Sequence, residues 1–246
     1  MDSPDIRYKF NILGQKITLF LLVLLLPGLN AFAQSSADEV FNPRYDERKI
    51  VTYGFSIGLH TTAYRLKYSA YFTSPDMDSV HSILPKKRPG FKLGFIINFR
   101  LAQYLDVRLT PTVAFAEYVL EYNYVGGDTF EELVESTGVE FPVLFKYKSQ
   151  RRNNIRMYLV GGITPIIEAA GRSNLEEDLN RLQLQRFNAN LELGFGFDLY
   201  YPLFKFSPEV RFAYGLVDIL SPVVNEKSIG LSDLRTKSLS FYFHFQ

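Results

Sequence analysis

From about residue 50 onward the chain alternates apolar and polar side chains with a period of two. This is the signature of strands whose two faces meet different surroundings. The last segment is the plainest case, with Leu239, Phe241, Phe243 and Phe245 on one side and Ser238, Ser240, Tyr242 and His244 on the other. Similar alternation over 53–59, 91–100, 105–115, 139–146, 155–164, 189–199 and 204–212 predicts eight strands in all. An even number suits a closed antiparallel barrel with both ends on one side. The connections add to this. Those at 60–89, 122–135, 171–186 and 217–235 are long, and those at 101–103, 148–154 and 200–203 are short, in strict alternation. Outer-membrane barrels sort their loops in this way, with tight periplasmic turns and large external loops.

Alternation alone fits a soluble barrel as well, and the polar face separates the two. It mixes charges with small residues such as Gly54, Gly58, Gly94, Ala114, Gly162, Gly194 and Gly196. A barrel of eight strands has an interior only wide enough for side chains, so large inward residues need small ones between them. A water-facing strand surface has no use for glycine, which weakens strands. The same face carries both signs of charge: Lys92, Arg100, Arg108, Lys146, Arg156, Lys205 and Arg211 against Asp106, Glu140, Glu168, Glu192, Asp198 and Glu209. Buried charge is tolerable when paired, so the pattern predicts a self-neutralised plug, not an ion-selective pore. Glu192, Arg211, Asp198, Lys205, Asp106, Arg108, Glu140 and Lys146 are the expected interior charge network. A tight turn at Tyr201-Pro202 would set Glu192 opposite Arg211 and Asp198 opposite Lys205, with a slip of two residues if Pro202 lengthens the turn. Tyr104, Tyr147, Tyr200 and Tyr201 beside short turns, and Tyr118, Tyr122 and Tyr124 beside a long loop, suggest interfacial aromatic belts.

The N-terminus changes the picture of where the barrel resides. Arg7, Lys9 and Lys16 flank an apolar run from Ile17 to Leu26, and Ala31-Phe32-Ala33 follows as a small-x-small cleavage pattern. Residues 1–33 are therefore expected to be a signal peptide. Residues 34–50 would be an N-terminal periplasmic segment and 51–246 the outer-membrane β-barrel. Among 246 residues there are 22 Phe and 16 Tyr but no Cys, which excludes disulfides and thiol chemistry. With 27 basic residues against 26 acidic ones, nothing points to nucleic acid.

Little in the sequence carries catalytic chemistry. His81-Ser82 sits in a predicted loop near Asp76 and Asp78, while His60 and His244 fall at opposite ends of the first and last strands. No nucleophile–base–orienter set emerges from these positions. Glu176, Glu177 and Asp178 read as a solvated charge run. Lys86, Lys87 and Arg88 form a basic cluster at the outer end of the second strand, placed either to hold lipid phosphates or to bound a solvated loop. No cofactor or metal motif is present.

Several stretches resemble the PorT family of type IX secretion-system barrels: Tyr45-Asp46-Glu47-Arg48-Lys49-Ile50 leading into Gly54-Phe55-Ser56-Ile57-Gly58-Leu59; Glu140-Phe141-Pro142-Val143-Leu144-Phe145-Lys146-Tyr147-Lys148-Ser149, followed by Arg152-Asn153 and Gly161-Gly162; and Phe197-Asp198-Leu199-Tyr200 with Phe204-Lys205-Phe206-Ser207-Pro208-Glu209-Val210. The resemblance implies a non-enzymatic component in export of cargo proteins, in relatives also linked to gliding motility. The expected partners are outer-membrane lipid and other secretion-system proteins. A barrel enzyme acting on lipid A or phospholipid, or a general outer-membrane scaffold, is the alternative.

Overall fold

The computed structural model describes residues 49–74, 80–170, 182–221 and 228–246. The expected signal peptide, and the 34–50 segment apart from Lys49 and Ile50, lie outside them, as do Asp76, Asp78 and the acidic run at 176–178. Eleven strand segments follow in order: β1 (Val51–Tyr68), β2 (Val80–Lys86), β3 (Arg88–Arg100), β4 (Leu105–Leu109), β5 (Thr112–Tyr124), β6 (Thr129–Glu140), β7 (Val143–Lys148), β8 (Ile155–Ala170), β9 (Phe187–Tyr200), β10 (Lys205–Gly215) and β11 (Leu231–Phe245). All lie in one antiparallel sheet that closes on itself through β1 and β11, from Phe55↔Phe245 to Tyr68↔Leu231.

The eleven segments reduce to a ring of eight. β4 and β5 are one strand interrupted at Thr110-Pro111, and β6 and β7 are one strand interrupted at Phe141-Pro142. Proline has no N–H to give the ladder. The two interruptions lie side by side and cost no register, because Leu109↔Val143 and Thr112↔Glu140 belong to the same pairing frame. The proline carbonyls are still used: Phe95 N–H donates to Pro111 O (3.0 Å) and Thr110 N–H to Pro142 O (3.2 Å). β2 and β3 form a third interrupted strand. Phe91 pairs with Phe115 but Lys86 with Val119, so the β2–β3 side carries one extra residue. Such a bulge reverses which side chains face inward, and Ile83 is accordingly the buried residue of β2.

Along the lower part of every strand the outward face is apolar. Phe55, Ile57, Leu59, Phe91, Leu93, Phe95, Phe145, Met157, Leu159, Leu193, Phe195, Phe241 and Phe243 are all exposed. In water such a belt would be untenable; against hydrocarbon it is the stable arrangement. Cross-strand aromatic pairs stack along it, Phe55 on Phe245 at 4.9 Å and Phe91 on Phe115 at 4.6 Å between ring centroids.

Beyond the belt, on the side of the long connections, the polarity inverts. Tyr64, Ile83, Leu120, Tyr122, Val134 and Leu234 turn inward and pack with Leu182, Leu184 and Ile219 into an apolar core. The outward positions there include Lys67, Glu121, Glu131 and Glu135, with Leu84 and Leu133 among them. Several expectations are corrected by this inversion. The long connection expected at 60–89 is mostly strand, since β1 runs to Tyr68 and β2 begins at Val80, so His81 and Ser82 lie in a strand. The one expected at 122–135 is a hairpin turning at Val125–Asp128, where Gly127 adopts φ 89°. Tyr122 and Tyr200 are buried inside, not set in an interfacial belt. Tyr147 and Tyr201 do face outward at the short-turn rim. Those rim connections are the short turns at 101–104, 149–154 and 201–204.

Close strand packing makes several glycine positions sensitive, Gly162 the most. A Cβ at Gly162 would collide with the Val143 carbonyl and come within 2.9 Å of Leu144 Cα, whereas one at Gly126 meets nothing within 4 Å. Gly162→Val is expected to lower barrel stability by about 1–3 kcal/mol and Gly126→Ala to leave it nearly unchanged. Urea unfolding followed by heat-modifiable gel mobility measures both.

Candidate functional site

The inward face of the belt region is the densest concentration of chemistry in the molecule. Alternation in β3, β4, β7, β8, β9 and β10 delivers Lys92, Asp106, Arg108, Lys146, Lys148, Arg156, Glu192, Asp198, Lys205, Glu209 and Arg211 to the lumen, all buried. Glu140, at the end of β6, joins them. Glu192, Arg211, Asp198, Lys205, Asp106, Arg108, Glu140 and Lys146 are all buried, and their pairings differ from those a simple hairpin suggests.

The β9–β10 ladder sets Lys205 opposite Tyr200, Arg211 opposite Gly194 and Ala213 opposite Glu192. This is the register slipped by two residues, because the turn spans four residues from Tyr201 to Phe204 and closes with Tyr201 N–H donating to Phe204 O (3.0 Å). Glu192 and Arg211 still meet, diagonally, at 2.8 Å. Asp198 and Lys205 do not. The Asp198 carboxylate instead accepts from Lys146 Nζ of β7 at 2.7 and 2.8 Å and from Ser207 Oγ at 2.7 Å. Asp106 and Arg108, neighbours but one on β4, also part company. Asp106 takes Lys148 Nζ (2.5 Å) and Asn98 Nδ2 (2.9 Å), while Arg108 reaches across the lumen to Glu209 (2.7 Å). Glu140 holds Lys92 at 2.8 Å.

Arg211 is the hub of the upper lumen. Besides Glu192 it donates through Nε (2.9 Å) and Nη2 (2.5 Å) to Glu209, so one guanidinium binds two carboxylates. Its fork geometry suits this bridging role, which an ammonium could not fill in the same way. Tyr242 stacks under it, with Arg211 Cζ 4.3 Å from the ring centroid. Tyr158 does the same lower down for Lys146, whose Nζ lies 3.7 Å from its centroid. Aromatic faces of this kind stabilise desolvated cations.

Three participants escape the sequence reading. Lys148 was assigned to a turn, though it continues the inward parity of Leu144 and Lys146. Tyr158 and Tyr242 stand on the inward face in the sequence, but nothing there marks them as cation partners. Arg100 and Glu168 are only part-buried.

Among the described residues, the histidines and serines assemble no accessible catalytic set. His81 is exposed on β2. Both ring nitrogens of His60 are buried without a hydrogen-bond partner, beside a cavity of about 60 Å³ that Lys92, Glu140 and Asn190 also line. Ser56 pairs with His244 in the β1–β11 ladder, and His244 Nε2 lies 3.5 Å from Glu209. However, Ser56 Oγ makes no hydrogen bond, and Ser56 and His244 are 2% and 0% exposed, leaving no access for a substrate.

The basic cluster at the outer end of β3 is largely neutralised. Lys86 pairs with Glu121 and with Glu131 (2.6 Å), and Arg88 with Glu131 (3.2 Å), while Lys87 is exposed. Glu121 and Glu131 face each other directly in the β5–β6 ladder. Opposed like charges destabilise a strand pair, and Lys86 and Arg88 compensate for this. Hydrogen bonding to Glu121 and then Glu131 raises the Lys86 ammonium above its usual value. Lys86 and then Arg88 lower the Glu131 carboxyl below 4.5.

Two outcomes follow. Arg211→Gln strands the buried Glu192 carboxylate and leaves Glu209 to Arg108 alone, whereas Glu192→Gln strands no carboxylate, so the first is expected to cost on the order of 3–5 kcal/mol and the second clearly less. In a double-mutant cycle of refolded barrels, losses that simply add would disprove the coupling. For Glu131 the folded-state pKa is depressed. Its stabilisation is therefore complete above about 4.5 and fades as pH falls through the lower folded value. Amide protection in β2 and in β6 near Glu131 should weaken on acidification through that range, and Glu131→Gln should remove the dependence. Hydrogen exchange read by mass spectrometry reports it.

Comparison with known proteins agrees with this architecture. Residues 32–221 match the family described as outer membrane protein beta-barrel domain. Among solved structures, the outer membrane protein OprG from Pseudomonas aeruginosa aligns with 14% identity and a TM-score of 0.47, over 78% of this chain and 93% of that one. Neisserial surface protein A aligns with 11% identity and a TM-score of 0.37, over 77% and 95%. Ail, the attachment invasion locus protein of Yersinia pestis, solved with the heparin analogue sucrose octasulfate, aligns with 14% identity and a TM-score of 0.33, over 78% and 96%. No curated protein matches. The matched family covers most of the chain, its fold is the closed antiparallel barrel described above, and the location it carries is the outer membrane: this chain belongs to the outer membrane protein beta-barrel domain family.

Proposed function

We propose that this outer-membrane barrel is a non-enzymatic component of a protein secretion system, PorT-like and of type IX, acting through contacts with partner proteins in cargo export. The single observation that carries the reading is the filled lumen: Arg108, Lys146, Arg211 and Tyr242, each no more than 1% exposed, occupy the space a transport pathway would need. A barrel blocked at its centre acts through its surfaces. The resemblance at Tyr45–Ile50, Glu140–Ser149 and Phe197–Val210 supplies the kind of partner, and those stretches include rim residues on the short-turn side. Outer-membrane lipid is the other partner, met by the aromatic belt and, at its outer edge, by the exposed Lys87.

The alternative is a barrel enzyme acting on lipid A or phospholipid. The nearest grouping of serine, histidine and acid, Ser56, His244 and Glu209, argues against it, because it is buried in the lumen and its carboxylate already binds Arg108 and Arg211. Deleting the gene and measuring cargo secretion beside lipid A composition separates the two. Loss of secretion with unchanged lipid is the expected result; altered lipid with normal secretion would put the enzyme first.

A further inference from the structure

The lumen has a second opening, on the short-turn side, and its charge is out of balance. A cavity of about 50 Å³ lies there, walled by five cationic residues, Lys49, Arg100, Lys148, Arg156 and Lys205, and by only two carboxylates, Asp106 and Asp198. Both carboxylates are committed: Asp106 to Lys148 and Asn98, Asp198 to Lys146 and Ser207. Lys205 projects inward and is 8% exposed. Among the described residues it has no carboxylate within ion-pairing distance, because the slipped β9–β10 register sets it opposite Tyr200. Arg100 stands opposite Asp106 in the β3–β4 ladder yet forms no ion pair with a described residue either.

An ammonium taken out of water without a counter-charge is strongly disfavoured unless some other group supplies that charge. The surrounding lumen shows the usual remedy: each of its other carboxylates and its Lys92, Arg108, Lys146, Lys148 and Arg211 cations is paired. The mouth departs from that rule in one direction only, toward excess positive charge. Roughly 10–15 Å³ suffices for one water, so the cavity has room for a group of several atoms.

We propose that the short-turn mouth of the barrel binds an oxyanion, a phosphate or a carboxylate, held between Lys205 and Arg100 and entering from the periplasmic side. The guanidinium offers a planar fork that matches two oxygens of one oxyanion and the ammonium a point charge, a combination that suits tetrahedral or planar oxyanions. The oxyanion comes from solution. The site does not depend on the secretion reading, and its test involves no cargo.

The test uses the mature chain refolded in detergent, with thermal unfolding followed by gel mobility. Inorganic phosphate and acetate are titrated against chloride at constant ionic strength. A saturable rise in midpoint of several degrees is expected with either oxyanion, and it should be lost in both Lys205→Gln and Arg100→Gln. Arg100 is only part-buried, so its variant keeps the test valid if Lys205→Gln does not fold. No saturable response, or an undiminished response in both Lys205→Gln and Arg100→Gln, overturns the proposal.

Discussion

The constraint behind the rest of the structure is that a backbone in hydrocarbon must satisfy every N–H and C=O within itself. A sheet does so only by closing, and here it closes where β1 meets β11 along an unbroken ladder from Phe55↔Phe245 to Lys67↔Asp233. Closure at this strand number leaves a lumen about as wide as the side chains that fill it. Outward positions must then be apolar and inward positions polar, and inward polar groups have only one another for partners. The ion-paired lumen is thus a consequence of the closed ladder.

That consequence gives the lumen its character. With water excluded, the pairs must be made by geometry, and they are made across the barrel as much as along it. Arg108 of β4 meets Glu209 of β10, and Lys92 of β3 meets Glu140 of β6. Such links join strands that are not neighbours in the sheet, so they brace the cross-section of the barrel. Tyr158 and Tyr242 complete the filling by giving the cations a face to lie on where no further carboxylate fits.

Along each strand the surroundings change from hydrocarbon to water, and the sequence changes with them. In β5, Val113 and Phe115 point to lipid, while a few residues on Leu120 and Tyr122 point inward to an apolar core. The backbone continues without interruption through a switch in which parity is apolar. A search for alternation of fixed phase therefore ends the strand at the switch and assigns the remainder to a loop, which is why 60–68, 80–86 and 129–135 were not legible as strands. The physics is ordinary on both sides of the switch: above the belt the barrel is a water-soluble protein with its apolar side chains inside, and within the belt it is the reverse.

The amino-acid sequence by itself determined the closed antiparallel architecture, the lipid-facing belt, the short-turn rim and most, though not all, of the charged residues that face inward, because each depends on side-chain parity and local turn chemistry. It could not determine who pairs with whom. Glu192 was legible as a partner of Arg211 only through a hairpin register, and the four-residue turn at Tyr201–Phe204 displaced that register by two; the pair survives because Arg211 is long enough to reach diagonally. Asp198 was separated from Lys205 for the same reason and found Lys146 on β7, a strand remote in the sequence. Pairing across a lumen depends on strand stagger and on distances between non-adjacent strands, and these exist only once the sheet has closed. Tertiary structure alone therefore decided which charges are neutralised, and left Lys205 at the barrel mouth without an ion-paired carboxylate among the described residues.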